Sequence, residues 1–256
     1  MRLVLFEIFG FKVYSYGLMI AIGILSAGWI LTKKTKEKGY DEDEIFNLII
    51  FSVIAGILGG KLLFIITEFK QIVENPSMLL DFGNGFVIYG AIILGGLGVH
   101  VYCRRKKWST LDILDSTVPG LALAQGFGRI GCFLAGCCYG APTDLPIGVQ
   151  FPIDSLAQTG VHVHPTQLYS SVFDFALAGF LIWYARRGKS EGKVTGMYIV
   201  IYSIGRFIVE FLRNDPRGTV GMLSTSQFIA IFTLIAGIAI LNIKKVKGRG
   251  SKVEEN

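Results

Sequence analysis

The sequence predicts an all-α integral membrane protein with about seven transmembrane helices and a small outer cap between helices four and five. Three observations support this fold class. Of the 256 residues, 52% are hydrophobic, and the mean hydropathy is +0.53. The apolar residues form runs of about twenty, the length that crosses a hydrocarbon core of ~30 Å as a helix. Basic residues cluster at alternate ends of these runs.

Seven apolar runs define the predicted helices. They lie at about 14–32, 45–67, 86–103, 111–133, 166–185, 194–212 and 222–243. The first run is followed by KKTKEK and lacks a small-residue cleavage site, so we expect an anchor and not a signal peptide. The fourth and fifth runs are the least typical, because the fourth ends in glycine and cysteine and the fifth contains Asp174.

The connection at about 139–165, between the fourth and fifth runs, contains four prolines. It is too long for a tight turn and too apolar for a disordered linker, so it predicts a small folded cap. We therefore expect residues 1–243 to form the membrane domain and residues 244–256 to form a basic cytoplasmic tail.

The positions of the basic residues predict the orientation of the chain. Seventeen of the 25 lie on one side of the predicted helices, in clusters at 33–38, 104–107, 186–193 and 244–252. Short basic loops stay cytoplasmic, so we expect the N-terminus outside and the C-terminus inside. The net charge of +6 is thereby explained, and no nucleic-acid-binding motif accompanies it.

Three basic residues, Lys61, Arg129 and Arg206, fall within apolar runs. An arginine at the centre of a membrane costs at least ~2.5 kcal/mol on insertion scales, so it requires a partner, a wet cavity or a ligand. Arg129 lies in the glycine- and cysteine-rich stretch GRIGCFLAGCCYG. Its counter-ion is either a carboxylate (Asp115, Asp174 or Glu210) or a lipid phosphate, which guanidinium binds bidentately.

A second polar stripe follows from helical spacing in IYSIGRFIVEFLRNDPRG. Tyr202, Arg206, Glu210 and Arg213 are four, four and three residues apart, so they share one helix face. Pairing of Arg206 with Glu210 accounts for two of these residues only. A stripe that lines a wet cavity accounts for all four.

The cysteines and histidines permit two further interpretations. Cys132, Cys137 and Cys138 form a candidate metal site with His162 and His164, although the spacing fits no standard zinc pattern. The cysteines alone permit a thiol-redox site near an oxidising compartment. Against both stands simple packing, which is common for free cysteine in helices.

The chain resembles bacterial prolipoprotein diacylglyceryl transferases in four motifs that occur in the family's order. These are YGLM near the start, GRIGCFLAGCCYG, HPTQLY, and the pattern Y-x-x-x-R-x-x-x-E-F-x-R. The resemblance extends from Tyr16 to Gln227 and includes the seven-helix layout. It implies a plasma-membrane enzyme that transfers the diacylglyceryl group of phosphatidylglycerol to a prolipoprotein cysteine thiol and releases glycerol phosphate.

The resemblance also implies roles for individual residues. Arg129 and Arg206 would hold the lipid phosphate and stabilise its growing charge, and Glu210 would orient Arg206. Tyr89 stands where some members carry a histidine proposed as a base. The remaining positions expected to contact substrate are Tyr16, Tyr202, His164, Gly140, Cys132 and Cys137. No metal or organic cofactor is implied, and the expected partners are phosphatidylglycerol, a prolipoprotein and the lipid bilayer.

Two cysteines depart from the family pattern. Cys132 replaces an asparagine of the best-known members, and Cys137 replaces an acidic residue. These changes keep alternatives open on the same scaffold: a lipid transferase with a different acceptor, a membrane thiol-redox or metal-binding protein, and a lipid transporter or binding protein.

Overall fold

A computed structural model describes residues 4–8, 11–80, 85–152, 155, 160–215 and 218–242. This part of the chain contains seven helices of 18 residues or more and one short helix, α3. In chain order they are α1 (Ser15–Lys36), α2 (Glu42–Thr67), α3 (Phe69–Glu74), α4 (Ile88–Arg105), α5 (Thr110–Ala135), α6 (Thr166–Ala185), α7 (Lys193–Glu210) and α8 (Thr225–Asn242). Each of the seven predicted apolar runs coincides with one long helix. The predicted tail at 244–256 lies outside the described residues.

Five of the long helices are apolar enough over their length to cross a membrane. They are α1, α2, α5, α6 and α8. The other two, α4 and α7, have the length but not the composition. Three charged side chains interrupt α7, namely Lys193, Arg206 and Glu210. The described chain is therefore an α-helical membrane protein in which one helix combines membrane length with a polar face.

Three short antiparallel hairpins accompany the helices. They pair β1 (Val4–Ile8) with β2 (Phe11–Tyr14), β3 (Val149–Gln150) with β4 (His162–Val163), and β5 (Thr219–Val220) with β6 (Leu223–Ser224). The second hairpin belongs to the connection between α5 and α6. There Tyr139, Phe151 and Val163 form a small buried cluster, with Phe133 packed against it.

The helix ends follow from local sequence. The Asp41 side chain caps α2 by accepting a hydrogen bond from the backbone N–H of Glu44 at 2.9 Å. Three acidic residues fill the first turn of α2, and three lysines fill the last turn of α1. Both placements complement the helix dipole.

The helices form two compact units. One comprises the described residues of 27–117, and the other those of 1–26 and 118–256. In the 27–117 unit, α2 and α4 pack closely through glycine. A Cβ added to Gly59 would lie 2.3 Å from the carbonyl oxygen of Gly90, and one added to Gly90 would lie 2.2 Å from that of Gly59. Such glycine contacts let the backbones of two membrane helices approach closely.

The other unit contains α5 from Val118 onward, α6, α7 and α8. Its core is a buried apolar cluster from α5, α6 and α7: Val118, Ala122, Leu177, Ala178, Leu181, Val194 and Tyr198. The hydroxyl of Ser171 on α6 donates to the carbonyl oxygen of Gly126 on α5 at 2.9 Å. This bond and the core fix α6 against the part of α5 that carries Arg129.

Candidate active site

The polar end of α5 is built by a glycine-terminated helix cap. Gly136 adopts φ +75°, a left-handed conformation in which glycine has no steric penalty. Its N–H donates to the carbonyl oxygen of Phe133, and the N–H of Cys137 donates to that of Cys132. This bond pattern is a Schellman motif, in which the side chains at the positions of Cys132 and Cys137 come into contact.

The cap brings three thiols together. The sulfur atoms of Cys132, Cys137 and Cys138 all lie within 4.8 Å of one another. The adjacent thiols of Cys132 and Cys137 hold the pKa of Cys138 far below its usual range, and the charges of Arg213 and Arg129 add to this effect. The three thiols therefore behave as one interacting group.

A narrow cleft that is partly open to solvent lies beside this cap. Its walls come from α5, α6 and α7, and they consist of Arg129, Ser170, Phe173, Asp174, Tyr202, Gly205, Arg206 and Val209. Two arginines from different helices therefore face one cleft. Their separation along the chain is 77 residues, so the sequence pattern alone does not show that they meet.

Arg129 lines this cleft without an ion-pair partner in the described part of the chain. Among the described residues, no carboxylate lies within ion-pair distance of its guanidinium, and no side chain or carbonyl accepts a hydrogen bond from it. Asp174, only 2% exposed, faces the same cleft and likewise makes no ion pair or hydrogen bond within the described part of the chain. Charged side chains within a membrane persist only beside a partner, water or a ligand, so this cleft is a candidate ligand site.

Arg206 is held in place, in contrast to Arg129. Its guanidinium lies 3.2 Å from the carboxylate of Glu210, one helical turn later, and donates to the hydroxyl of Ser226 at 2.9 Å. The Glu210 side chain is 1% exposed and accepts a hydrogen bond from Ser224 at 2.8 Å. The predicted pairing of Arg206 with Glu210 is thus present, and residues at the start of α8 support it.

Arg213 continues the same charge network. It lies 3.6 Å from Glu210 and forms a two-pronged pair with Asp215, with N–O distances of 2.9 and 2.7 Å. Tyr202, the first member of the predicted stripe, stacks on Tyr198 and reaches the cleft. The predicted stripe is therefore divided. Tyr202 and Arg206 line the cleft, whereas Glu210 and Arg213 belong to the ion-pair network next to Arg206.

Gly140 and His164 meet through their backbones. The N–H of Gly140 donates to the carbonyl oxygen of His164 at 2.9 Å, and the N–H of Ala141 donates to that of Leu212 at 2.8 Å. A Cβ on Gly140 would lie 2.7 Å from that His164 oxygen and 2.8 Å from that of Leu212. Only glycine fits there without displacing the backbone that links α5, α6 and α7. The His164 ring hydrogen-bonds the Tyr169 hydroxyl at 3.2 Å.

Tyr16 packs on the same segment of α5. A Cβ on Gly131 would approach the Tyr16 ring to 3.0 Å. Gly131, two residues after Arg129, thus leaves room for the Tyr16 ring against α5. Tyr89 lies on the first turn of α4, in the 27–117 unit. Its catalytic role stays a prediction.

The structure separates the expected residues into groups. Arg129, Arg206 and Tyr202 line one cleft, while Cys132 and Cys137 join Cys138 beside it. Among the described residues, the group of side chains close enough to bind one metal ion consists of these three cysteines, and it includes neither His162 nor His164. No sequence pattern indicated that Ser170 would line the cleft or that Ser226 would bind Arg206. Asp174 had a sequence signal, a lone acid in an apolar run, and its place in the cleft emerges only from the packing of α6.

Comparison with known proteins identifies the family of the chain. The sequence model of the family described as prolipoprotein diacylglyceryl transferase matches residues 3–243. A phosphatidylglycerol–prolipoprotein diacylglyceryl transferase of Clostridium tetani is 60% identical over 96% of this chain and 99% of its own length. The corresponding enzyme numbered 2 of Clostridium perfringens is 61% identical, with coverage of 97% and 98%. That of Clostridioides difficile is 34% identical, with 92% of each chain covered. The chain belongs to the prolipoprotein diacylglyceryl transferase family.

Proposed function

We propose that this protein transfers the diacylglyceryl group of phosphatidylglycerol to a cysteine thiol of prolipoproteins. The observation that carries the proposal is the cleft, which both Arg129 and Arg206 line. Arg129 has no carboxylate within ion-pair distance among the described residues. A phosphate fits that need, because guanidinium binds its oxygens bidentately. Membership of the family and the names of its relatives supply the substrate pair.

The reaction changes the charge that the cleft must stabilise. The acceptor sulfur forms a bond to the glyceryl carbon, and the carbon–oxygen bond to phosphate breaks, with its electron pair passing to the leaving oxygen. The thiol proton is lost during attack. A phosphodiester with one negative charge becomes a phosphomonoester that carries nearly two at neutral pH. Two arginines therefore interact more strongly with the departing phosphate than with the bound lipid, which lowers the barrier.

The roles within the cleft follow from its contacts. Arg206, fixed by Glu210 and Ser226, positions the phosphate, and Arg129 approaches it from α5. Tyr202 contributes a ring and a hydroxyl to the wall. We assign Tyr16, His164, Gly140, Cys132 and Cys137 to shaping the surrounding pocket. We assign Tyr89 a catalytic role on the family resemblance, and Tyr89→Phe, which removes only the hydroxyl, tests that role in the assay below.

We further propose seven membrane spans, an outer cap at about 139–165 and an outward N-terminus. The long helices number seven over the described chain, and their basic ends alternate as cytoplasmic loops require. On α5, Arg129 lies 19 residues beyond Thr110, which follows a basic cluster. At 1.5 Å per residue this separation is about 29 Å, nearly the thickness of the hydrocarbon core. The cleft then lies near the outer face, where lipoprotein precursors emerge.

The direct test supplies purified protein with phosphatidylglycerol vesicles and an acceptor peptide that carries one cysteine. We expect thioether-linked diacylglyceryl peptide and free glycerol phosphate in equal amounts. Arg129→Ala and Arg206→Ala should each abolish both products. Arg187→Ala is the matched control, because Arg187 lies beyond the C-terminal end of α6, packs on Trp183 and does not line the cleft. Normal transfer by either cleft variant, or transfer without release of glycerol phosphate, would contradict the proposal.

A further inference from the structure

We propose that Cys132, Cys137 and Cys138 bind one Zn²⁺ ion and leave one coordination position open. The site goes beyond the transfer reaction, which does not require a metal. Its first support is the distance of at most 4.8 Å between any two of the three sulfur atoms. Zinc binds thiolate sulfur at about 2.3 Å, so two sulfurs on one tetrahedral ion lie about 3.8 Å apart. The three sulfurs need to close by at most about 1 Å, which small side-chain rotations supply.

The second support is that the backbone already holds this geometry. The helix cap at Gly136 places Cys132 and Cys137 side by side. Cys138 has φ +61°, a left-handed conformation that costs a non-glycine residue of order 1 kcal/mol or more. Two buried side chains of α6 hold the backbone of the two loop cysteines. Gln167 donates to the carbonyl oxygen of Cys137 at 2.6 Å, and Thr166 donates to the carbonyl oxygen of Cys138 at 2.7 Å.

The third support is the charge around the cluster. Three thiolates with Zn²⁺ leave a single net negative charge, whereas Cu⁺ would leave two. A single excess negative charge costs less in a region of low polarity than two such charges do. Zinc is therefore the thiophilic ion that this environment favours. Binding transfers no electrons, and each coordinating thiol releases its proton to water.

The spacing in the sequence concealed this site. Four residues separate Cys132 from Cys137, at the upper limit of the usual spacing within a zinc-ligand pair, but the third cysteine follows Cys137 directly, which is not part of the usual zinc patterns. The left-handed turn at Gly136 compensates for that spacing. Three protein ligands with a fourth position open are also the arrangement of catalytic and not of closed structural zinc sites.

Zinc would stabilise the end of the helix that carries Arg129. Cys132 follows Arg129 by three residues, so both lie on one side of α5. A metal that joins Cys132 to the loop residues after Gly136 resists fraying of this last turn. We therefore expect zinc to increase the resistance of the 129–140 segment to amide hydrogen exchange.

The test uses full-length protein, purified in detergent with a phosphine reductant and freed of metal. Zn²⁺ is titrated in competition with a chromophoric chelator, and Co²⁺ is used separately as a spectroscopic probe. We expect one Zn²⁺ per chain and a thiolate-to-Co²⁺ charge-transfer band of an intensity typical of three sulfurs. Cys137→Ser and Cys138→Ser should each weaken Zn²⁺ binding by at least the roughly 10- to 100-fold typical of losing a supporting group. Both residues are only partly buried, so these variants should fold.

Cys103→Ser is the matched control, because Cys103 is a buried cysteine of α4 in the 27–117 unit. It should leave the stoichiometry and the Co²⁺ spectrum unchanged. A missing charge-transfer band, a spectrum unchanged in both loop variants, or binding of Cu⁺ but not Zn²⁺ would overturn the proposal. A disulfide among the three cysteines in protein purified without reductant and without oxygen would also overturn it. None of these measurements depends on transfer activity, so they stand apart from the proposed function.

Discussion

Lys61 and Arg129 are both cations within apolar helices, yet their surroundings differ. The Lys61 amino group lies 5.2 Å from the centre of the Phe64 ring and 5.5 Å from that of Phe86, within one compact unit. Such cation–π contacts compensate part of the cost of the charge. Arg129 has neither a carboxylate nor an aromatic partner within the described residues, and it lines an open cleft. The aromatic contacts of Lys61 thus indicate a role in packing, whereas the position of Arg129 indicates a ligand.

The same contrast separates the two arginines of the cleft. Glu210 and Ser226 fix Arg206 before any substrate arrives, so its donors are preorganised. Arg129 faces the cleft from α5 and awaits the ligand as its counter-ion. One rigid cation and one without an ion-pair partner among the described residues together bind a phosphate that enters and, after the reaction, must leave.

The largest effect is expected for Arg129→Lys. Lysine keeps the charge but loses the planar fork that binds two phosphate oxygens at once. We expect kcat to fall by on the order of 10²- to 10³-fold, as when one donor to a transition-state oxyanion is removed. The reverse exchange at the other cation, Lys61→Arg, should keep the wild-type rate. Steady-state transfer from phosphatidylglycerol vesicles to an acceptor peptide measures the rates of both variants. A nearly normal rate for Arg129→Lys would remove the distinction between the two cations.

Glu210→Gln should have the next largest effect. Glutamine still accepts the Ser224 hydrogen bond but leaves Arg206 and Arg213 without their shared carboxylate. We expect kcat to fall by roughly 10²-fold because Arg206 is misplaced, and stability to fall by about 3 kcal/mol. Both are measured on one preparation, by transfer rate and thermal unfolding. The control is Glu44→Gln, which disturbs the Lys106 pair of the 27–117 unit and should leave kcat unchanged.

Asp174→Asn sharpens the comparison within the cleft. The Asp174 carboxylate opposes the charges of Arg129 and Arg206, so its neutralisation should strengthen the binding of an anionic lipid. A change of about 1.4 kcal/mol, reasonable for charges several ångströms apart at an effective dielectric constant near 20, lowers KM about tenfold. The inhibition constant of glycerol phosphate should fall in parallel. A rise in KM would show instead that the carboxylate itself binds the lipid head group.

The smallest effect is expected for Lys61→Met. The substitution removes the charge and the contacts with two phenylalanine rings but keeps the length of the side chain. We expect stability to change by about 1 kcal/mol or less and the transfer rate to stay at the wild-type value. Thermal unfolding and the vesicle assay measure the two quantities. A large loss of transfer would assign Lys61 to the functional machinery and reverse the interpretation drawn from its aromatic partners.

Much of the fold was accessible from the sequence because helices in lipid satisfy their own backbone hydrogen bonds. Apolar length alone then located all seven long helices. The Arg206–Glu210 pair was also accessible, since four residues along one helix fix two side chains as neighbours. Such local relations do not depend on how the chain folds back on itself.

The sequence by itself determined the membrane class, the helices and the family, because these depend on composition, on local periodicity and on motifs in order. The tertiary structure alone decided which charges are compensated. It brought Arg129, Asp174 and Arg206 from three helices to one cleft, and it turned an irregular cysteine spacing into three adjoining thiols. The physical reason is that a counter-ion is set by distance in space, and packing between helices fixes that distance independently of separation along the chain.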